Sequence, residues 1–294
     1  KFSTMKRLLI VADDFGYGYQ RNRGIVECFL KQSISAASIL VNCKHSEDAV
    51  NLALLHNIPV SLHFNITQGK PTSDINKVRS LVGDDDMFLG KSASWKNTSY
   101  LQSEIKLELS SQINWFERKF GRMPDRVDGH QHIHVHPMVR NAFAITLQER
   151  GIKHTRLPVE DISSILHHGM PQSRLRFHEQ IQMESKIAAL IFDQQCIKYT
   201  PHFIGLNFVG KAMNFTLLQR SLANIYKNKR SAICELMCHP GYRCDKNSDG
   251  FLHETTADDF SCSPDREHEL KVLTSNAMAA FYKSENILLN AIND

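Results

Sequence analysis

The chain has 294 residues, of which 42% are hydrophobic, and it carries a formal net charge of +4. Its length and apolar content allow a substantial buried core, which excludes a disordered protein and fits one large α/β domain or two small ones. Lys and Arg occur only in short, scattered groups and no apolar run reaches the length of a membrane span, so we expect binding neither to nucleic acid nor to a membrane.

The first predicted element is a buried strand, because residues 8–12 are five successive apolar residues. Asp13, Asp14 and Gly16 follow it, at the end of a strand where α/β enzymes place their chemistry. Successive strand side chains point to opposite sides, so the two carboxylates have different tasks unless the chain is already turning. The alternative is that the acidic pair caps and begins a helix.

Strands and helices then alternate along the chain. Further strands are predicted at residues 37–41, 59–64, 125–128, 154–157, 203–208 and 232–237, and a segment at residues 286–289 follows the last predicted helix. Helical spacing predicts helices at residues 24–30, 45–55, 101–120, 138–150, 186–198, 217–227 and 267–282. This βα rhythm, without a break in composition, predicts parallel strands with helical crossovers.

Two stretches interrupt the rhythm. Residues 65–100 form a long loop with glycines and an acidic turn, and loops of this length are typical of lids or binding segments. We therefore expect this segment to line or cover the site. Residues 158–185 show no readable pattern.

Polar side chains gather where predicted strands end. These side chains are Asp13, Asp14, His63, His130, Arg156 and His239. Parallel strands bring their carboxyl ends to one side of a sheet. A carboxylate and two imidazoles from separate strands would supply three metal ligands and leave positions for water and substrate. Each histidine by itself is as compatible with a hydrogen-bonded core or surface residue.

Four histidines stand at alternate positions, His130, His132, His134 and His136. In an extended segment all four would point to one side. We expect at most two of them near a metal, with the others behind the ligands or facing solvent.

Taken together, the motifs resemble the YdjC family of carbohydrate deacetylases. The residues that carry the resemblance are spaced over almost the entire chain: Ala12-Asp13-Asp14-Phe15-Gly16, His63-Phe64-Asn65 with Gly69-Lys70-Pro71, Asp128-Gly129-His130-Gln131-His132-Ile133-His134, Thr155-Arg156-Leu157-Pro158 and Met237-Cys238-His239-Pro240-Gly241. The resemblance implies an α/β fold, a distorted TIM-like (β/α) barrel with parallel strands. It also implies hydrolysis of N-acetyl groups from amino sugars such as chitooligosaccharides.

Roles for individual residues follow from the same resemblance. The implied metal ligands are Asp14, His63 and His130. Asp13 is the implied general base and His239 the implied proton donor. Phe64 and Asn65, which directly follow a ligand, are the expected substrate contacts.

The chemistry of amide hydrolysis agrees with these roles. An acetamide is a poor electrophile, so a metal must activate water and polarise the carbonyl while a carboxylate such as Asp13 takes the water proton. The departing amine leaves only when protonated, and His239 suits that step. Arg156 is expected to hold or orient Asp13, and Asp128 to hold a histidine or Arg156, with surface ion pairs as the alternative for both.

The cofactor is expected to be a divalent cation. Imidazole and carboxylate ligands suit zinc, whereas the family resemblance suggests magnesium, so Mg²⁺ comes first and Zn²⁺ second. The expected partner is an acetylated oligosaccharide, and a homodimer is left open. Rival functions are a metal-dependent hydrolase of another bond, such as a phosphoester, and a catalytically silent carbohydrate-binding protein. The first would need a phosphate cradle or a basic cluster by the metal, and the second would lack a base, ligand or acid.

The seven cysteines have irregular spacing that does not suggest a disulfide framework. With no secretory signal at the start, they favour a cytoplasmic protein. We expect one domain over residues 1–294, with residues 1–4 in front of Met5 as a candidate cloning remnant.

Overall fold

One parallel sheet organises the chain, and the computed structural model describes residues 5–160, 171–227 and 231–289. The strands β1 to β7 are Met5–Phe15, Ala36–Ile39, Val60–Phe64, Val127–Gly129, His202–Ile204, Ser231–Cys238 and Ile287–Leu289. The helices α1 to α10 are Tyr19–Leu30, Ser46–His56, Lys91–Lys96, Gln102–Phe120, Arg140–Glu149, Gln172–Gln194, Phe215–Tyr226, Asp259–Cys262, Asp265–Leu273 and Asn276–Ser284. The candidate cloning remnant and part of the unpatterned stretch, residues 161–170, lie outside the described residues.

The strand order is β4-β3-β2-β1-β6-β5, and all neighbouring strands are parallel. Strand β7 pairs with Lys6–Leu8 of β1, beside the place where β2 joins the same strand. Beyond β4 the pairing continues as isolated bridges that join His154 to Arg126 and to Lys198. The sheet is therefore a half-barrel, which confirms the predicted parallel α/β fold and its distortion. The strand predicted at residues 154–157 is reduced to these bridges.

The central strand β1 explains why the fold forms around it. Leu8, Ile10 and Val11 are fully buried, and Leu9 is nearly so. A parallel strand covered on both faces has this continuous apolar sequence because helices pack on either side of it. Its carboxyl end is consequently in the middle of the sheet, with neighbours on both edges.

The helices lie near their predicted positions, except that the helix predicted at residues 267–282 is divided into α9 and α10 and that α6 begins much earlier than predicted. Helix α4 ends at Phe120, and the next residue, Gly121, has a φ of +67° and caps the helix in the left-handed conformation. Helix α6 begins at Gln172, well before the predicted start at residue 186. Three of its large apolar side chains, Met183, Ile187 and Leu190, are exposed, and this mixture of faces conceals the helical period.

The long segment 65–100 is folded against α4. Glu108 of that helix accepts the backbone N–H groups of Thr72 and Ser73 at 2.8 and 2.9 Å. Short 3₁₀ turns and α3 follow within the segment. Across residues 5–160, 171–227 and 231–289, we find no helix with the length and apolar content needed to cross a bilayer.

Candidate active site

A cavity of about 810 Å³ opens where the parallel strands end. Its wall includes polar side chains from the ends of β1, β3 and β6 and from the turn after β4, namely Asp13, Asp14, His63, His239 and His130. Aromatic side chains from α3, α6 and α8 complete it, namely Trp95, Phe177 and Phe260. The prediction that the segment 65–100 lines this region is confirmed, since Gln68 and Trp95 belong to the wall.

The two adjacent carboxylates reach the same cavity because β1 is irregular at its end. Asp14 has a φ of +63°, and the pairing register between β1 and β2 shifts between Ala12 and Phe15. A regular strand would send Asp13 and Asp14 to opposite faces. The chain is thus already turning at Asp14, which is the condition under which the sequence allowed both carboxylates to reach the same site.

Asp14, His63 and His130 form a compact buried cluster. Asp14 Oδ1 lies 3.1 Å from His130 Nδ1 and 3.5 Å from His63 Nε2. Burial alone raises the pKa of Asp14, but hydrogen bonds from His130 and His63 bring that pKa well below its ordinary value. Asp14 is therefore a carboxylate facing two imidazole nitrogens, a donor set that suits a divalent cation.

The surroundings of His63 favour positive charge in the centre of this cluster. His63 Nδ1 lies 2.6 Å from Asp128 Oδ1, so this nitrogen carries a hydrogen and Nε2 is left to face Asp14. Burial lowers the pKa of His63, but Asp13 and Asp128 outweigh it and raise the pKa to about 10. The same carboxylates would stabilise a bound cation, and the predicted contact of Asp128 with a histidine is present. The three residues therefore fit a divalent metal.

Asp13 is held from behind by Arg156. Arg156 Nη1 and Nη2 lie 2.6 and 2.7 Å from the two oxygens of Asp13, and Arg156 Nε lies 2.7 Å from Glu235 Oε1. Burial raises the pKa of Asp13 above its ordinary value, while Arg156 and His63 oppose that rise. Arg156 is fully buried and does not belong to the cavity wall, so it can orient Asp13 without touching a ligand.

His239 stands beside Asp13, with Nε2 4.0 Å from Asp13 Oδ2. Its backbone N–H donates to Glu269 Oε2 at 2.6 Å, and its ring meets Phe260 edge to face at 5.2 Å. Burial lowers its pKa well below the ordinary value, and Arg266 is among the groups that add to this effect. The imidazole is accordingly neutral at neutral pH.

The histidine run is a turn and not an extended segment. Residues His130–Val135 form a 3₁₀ helix with a kink, in which His132 has a φ of +60°. The four side chains therefore do not share one face, and His130 alone of the four belongs to the candidate metal-binding cluster, within the predicted limit of two. The other three are buried and do not face solvent, and His134 Nε2 contacts the backbone oxygen of Arg156 at 2.9 Å.

Phe64 and Asn65 do not reach the cavity wall. The Phe64 ring is fully buried and packs against Phe143 with centroids 6.1 Å apart. Asn65 Oδ1 accepts the backbone N–H groups of Thr67 and Gln68 at 2.8 and 3.2 Å, which shapes the turn that brings Gln68 to the cavity. Direct contact of Phe64 or Asn65 with substrate stays a prediction.

Several site residues were not found by sequence reasoning. Arg21 Nη2 lies 3.2 Å from Asp14 Oδ2, and Gln68 Oε1 lies 2.9 Å from His130 Nε2. Neither has a local sequence signal. Glu235, the partner of Arg156, did have one, because a charged residue inside an apolar strand indicates a buried ionic partner.

The chain is similar to known proteins over nearly its full length. The family model described as YdjC-like protein matches residues 7–284. The carbohydrate deacetylase of Danio rerio is 34% identical and covers 98% of both chains. The carbohydrate deacetylase of Homo sapiens is 34% identical over 98% of this chain and 90% of its own length. The chitooligosaccharide deacetylase of Serratia marcescens is 26% identical over 99% of this chain and 100% of its own.

A solved structure shares the fold. The protein of Enterococcus faecalis V583 that is named for cellobiose-phosphate cleavage superimposes with a TM-score of 0.78. The match covers 98% of this chain and 97% of the other, at 20% sequence identity. At that identity the likeness supports the architecture and nothing about substrate.

Proposed function

This chain belongs to the YdjC-like protein family, and from that membership we propose that it is a metal-dependent deacetylase of acetylated amino sugars. The names of its relatives, carbohydrate deacetylase and chitooligosaccharide deacetylase, support this reaction. The observation that carries the proposal is the meeting of Asp14, His63 and His130 beside Asp13 in one cavity. An unreactive amide needs a cation and a base together, and these residues offer ligands for the cation and a carboxylate as the base.

Asp14, His63 and His130 would hold the divalent cation. When bound there, it supplies Lewis acidity, which lowers the pKa of a water molecule and polarises the acetyl carbonyl. Asp128 keeps the His63 ring in the orientation that presents Nε2, as buried partners of metal-binding histidines commonly do. We propose Mg²⁺ as the cation, with Zn²⁺ as the alternative that the two imidazoles favour.

Asp13 is proposed as the general base. Its carboxylate lies in the cavity wall next to the metal ligand Asp14, and burial raises its pKa from the ordinary value. A base with a raised pKa takes a proton from water more readily, provided that it remains ionised. Arg156 meets that condition through its two contacts, and we assign it as a positioning residue.

His239 is proposed to deliver the proton to the departing amine nitrogen. Because the imidazole is neutral at rest, it must first gain the proton that it later gives up. Asp13 Oδ2 is 4.0 Å from His239 Nε2, which suggests that the water proton reaches the amine by way of these two side chains. The proton removed from water during its attack is then the proton delivered to the departing amine nitrogen.

The cavity suits a short oligosaccharide. A volume of about 810 Å³ is within the range of sites that enclose small ligands. Trp95, Phe177 and Phe260 offer apolar faces to the carbon-bound hydrogens of a sugar ring, among polar groups that can bind its hydroxyls. A chitooligosaccharide such as chitobiose is therefore the substrate we propose.

One observation keeps phosphoester hydrolysis as a second candidate. Lys91, Arg174 and Arg176 line the same cavity, a basic group that the sequence did not reveal. Cationic side chains near a metal can hold a phosphate. Phosphate release from phosphorylated sugars should therefore be measured beside acetate release.

We further propose that residues 1–294 form one domain in the cytoplasm. The family match spans residues 7–284 without interruption, which supports a single domain. The irregular cysteine spacing supports a reducing compartment.

The test is acetate release from chitobiose and chitotriose by purified protein, before and after treatment with a chelator. We expect activity that chelation abolishes and that added Mg²⁺ or Zn²⁺ restores. His63→Ala should lose activity with its fold intact, while His56→Ala on α2 should match wild type. A loss of only a few-fold in His63→Ala, or activity that survives chelation, would refute the metal-dependent mechanism.

A further inference from the structure

His130 has a different partner on each ring nitrogen. Nδ1 lies 3.1 Å from Asp14 Oδ1, within the proposed metal-binding cluster. Nε2 lies 2.9 Å from Gln68 Oε1. Gln68 belongs to the segment that follows β3 and lines the cavity, so it joins the substrate side of the site to a metal ligand.

The orientation of the Gln68 amide is set by a second glutamine. Gln131 Nε2 donates to the same Gln68 Oε1 at 2.6 Å. Because Oε1 is an acceptor, both of its neighbours must be donors, and His130 Nε2 must carry a hydrogen. A ring whose single hydrogen is on Nε2 presents the Nδ1 lone pair to a cation held beside Asp14, whereas without a cation Nδ1 lies within hydrogen-bond distance of Asp14 Oδ1.

Gln68 is also fixed through its backbone. Asn65 Oδ1 accepts from Gln68 N at 3.2 Å, and Asn65 Nδ2 donates to Gln68 O at 2.8 Å. Asn42 Nδ2 donates to the same carbonyl at 3.2 Å. The backbone is thus held on both its N–H and C=O sides, and the side chain starts from a defined position.

We propose that Gln68 is a positioning residue that fixes the metal-binding tautomer of His130. It serves His130 as Asp128 serves His63, with an amide oxygen in place of a carboxylate. The inference rests on the proposed function, because it takes His130 Nδ1 as a metal ligand. Loss of a partner that orients a metal-binding histidine typically weakens metal binding by about 10–100-fold.

The first measurement is metal affinity. Chelator-treated protein is titrated calorimetrically with Zn²⁺ and with Mg²⁺ for wild type, Gln68→Leu, Gln68→Glu and the control Gln219→Leu on the exposed side of α7. We expect Gln68→Leu to raise the metal Kd by about 10–100-fold. Gln68→Glu keeps an acceptor for His130 and should bind as well as wild type, as should Gln219→Leu. Gln68→Leu with a wild-type Kd would overturn the proposal.

The second measurement determines the tautomer of the His130 ring. Nitrogen-15 NMR of histidine-labelled, metal-free protein at pH 8 reports which nitrogen of His130 carries the hydrogen, with His130→Asn identifying the signal. We expect Nε2–H in wild type and Gln68→Glu, and a mixture of tautomers in Gln68→Leu. An unchanged tautomer in Gln68→Leu would overturn the proposal even if activity fell.

The two measurements separate this proposal from the proposed function. If wild type binds neither metal, the metal-dependent function is wrong, while the NMR spectrum still decides whether Gln68 controls the ring. If wild type binds metal and Gln68→Leu changes neither Kd nor tautomer, the function stands and the role of Gln68 is wrong.

Discussion

Arg156 binds both carboxylate oxygens of Asp13 in a buried, two-point ion pair, with distances of 2.6 and 2.7 Å. The same guanidinium reaches Glu235 at 2.7 Å and lies 3.6 Å from Asp128 Oδ2. Two-point pairing fixes the plane of the Asp13 carboxylate as well as its charge. The proposed base is thus held rigidly by a residue outside the cavity.

We predict that Arg156→Lys lowers kcat by a larger factor than it lowers the equilibrium constant for folding. Lysine keeps a positive charge but cannot form the planar two-point contact, so the Asp13 carboxylate loses its fixed orientation. A misplacement of this kind costs about 10²-fold in rate. Steady-state kinetics and urea unfolding should be compared with Arg118→Lys, an exposed control on α4.

Arg156→Met, which leaves buried carboxylates unpaired, should lose about 3–5 kcal/mol of unfolding free energy. Unchanged kcat in Arg156→Lys would remove its positioning role.

Variants of the two adjacent carboxylates should differ in their metal content. Asp14→Asn removes the charge of a proposed ligand that contacts both histidines, and we expect it to purify with little or no metal. Asp13→Asn should keep its metal and lose about 10²–10⁴-fold in the rate of acetate release, the usual contribution of a general base. Elemental analysis of protein purified without chelator gives the first quantity. The reverse result would exchange the two roles, and equal metal content in all three proteins would exclude both as necessary ligands.

Removal of the Phe64 ring should lower the free energy of unfolding, whereas removal of the Phe260 ring should raise KM. Phe64 is fully buried, so Phe64→Ala should lower the free energy of unfolding by about 3–5 kcal/mol. Phe64→Leu, which keeps most of the apolar volume, should leave KM unchanged. Phe260 is 40% exposed in the cavity wall, so Phe260→Ala should raise KM with little loss of stability. A raised KM in Phe64→Leu would instead support Phe64 as the substrate contact that the sequence predicted.

Glu160 should make stability depend on pH. Its carboxylate accepts backbone N–H groups from Gly205 and Asn207, but burial outweighs them and raises its pKa from 4.5 to about 7. Below about pH 4.5 the folded and unfolded states are both protonated at this residue. Between about pH 4.5 and 7 only the folded state holds the proton, so stability should fall by about 3 kcal/mol as the pH rises through this interval.

The matched variant is Glu160→Gln, which keeps an oxygen for the two N–H groups but cannot ionise. We expect its unfolding free energy to decline less than that of wild type between pH 4.5 and 7. Glu179→Gln, an exposed change on α6, should retain the wild-type decline. Parallel pH profiles for wild type and Glu160→Gln would show that Glu160 is not buried as an ionisable group.

Much of the fold was predictable because its signals are local. The apolar run of β1 and the alternation of strands with helices indicate a parallel sheet without any knowledge of distant contacts. Helix α4 was identified by the helical spacing of Ile105, Leu109, Ile113 and Phe116, all of which are fully buried. The start of helix α6 was predicted too far along the chain because its apolar residues occur on both its buried and its exposed sides. Local periodicity cannot tell which of these sides contacts the core.

The sequence by itself determined the chemical identity of the site: two carboxylates after a buried strand, and histidines after three others, at positions that also match a known family. Only the tertiary structure decided how these groups are arranged around one cavity. The left-handed φ of Asp14 turns both carboxylates into one cavity. Contacts between residues far apart in the chain then select the state of each ring and carboxylate, as Asp128 does for His63 and Arg156 for Asp13. Ring orientation, charge and burial depend on those distant partners, and a local pattern of residues carries no information about them.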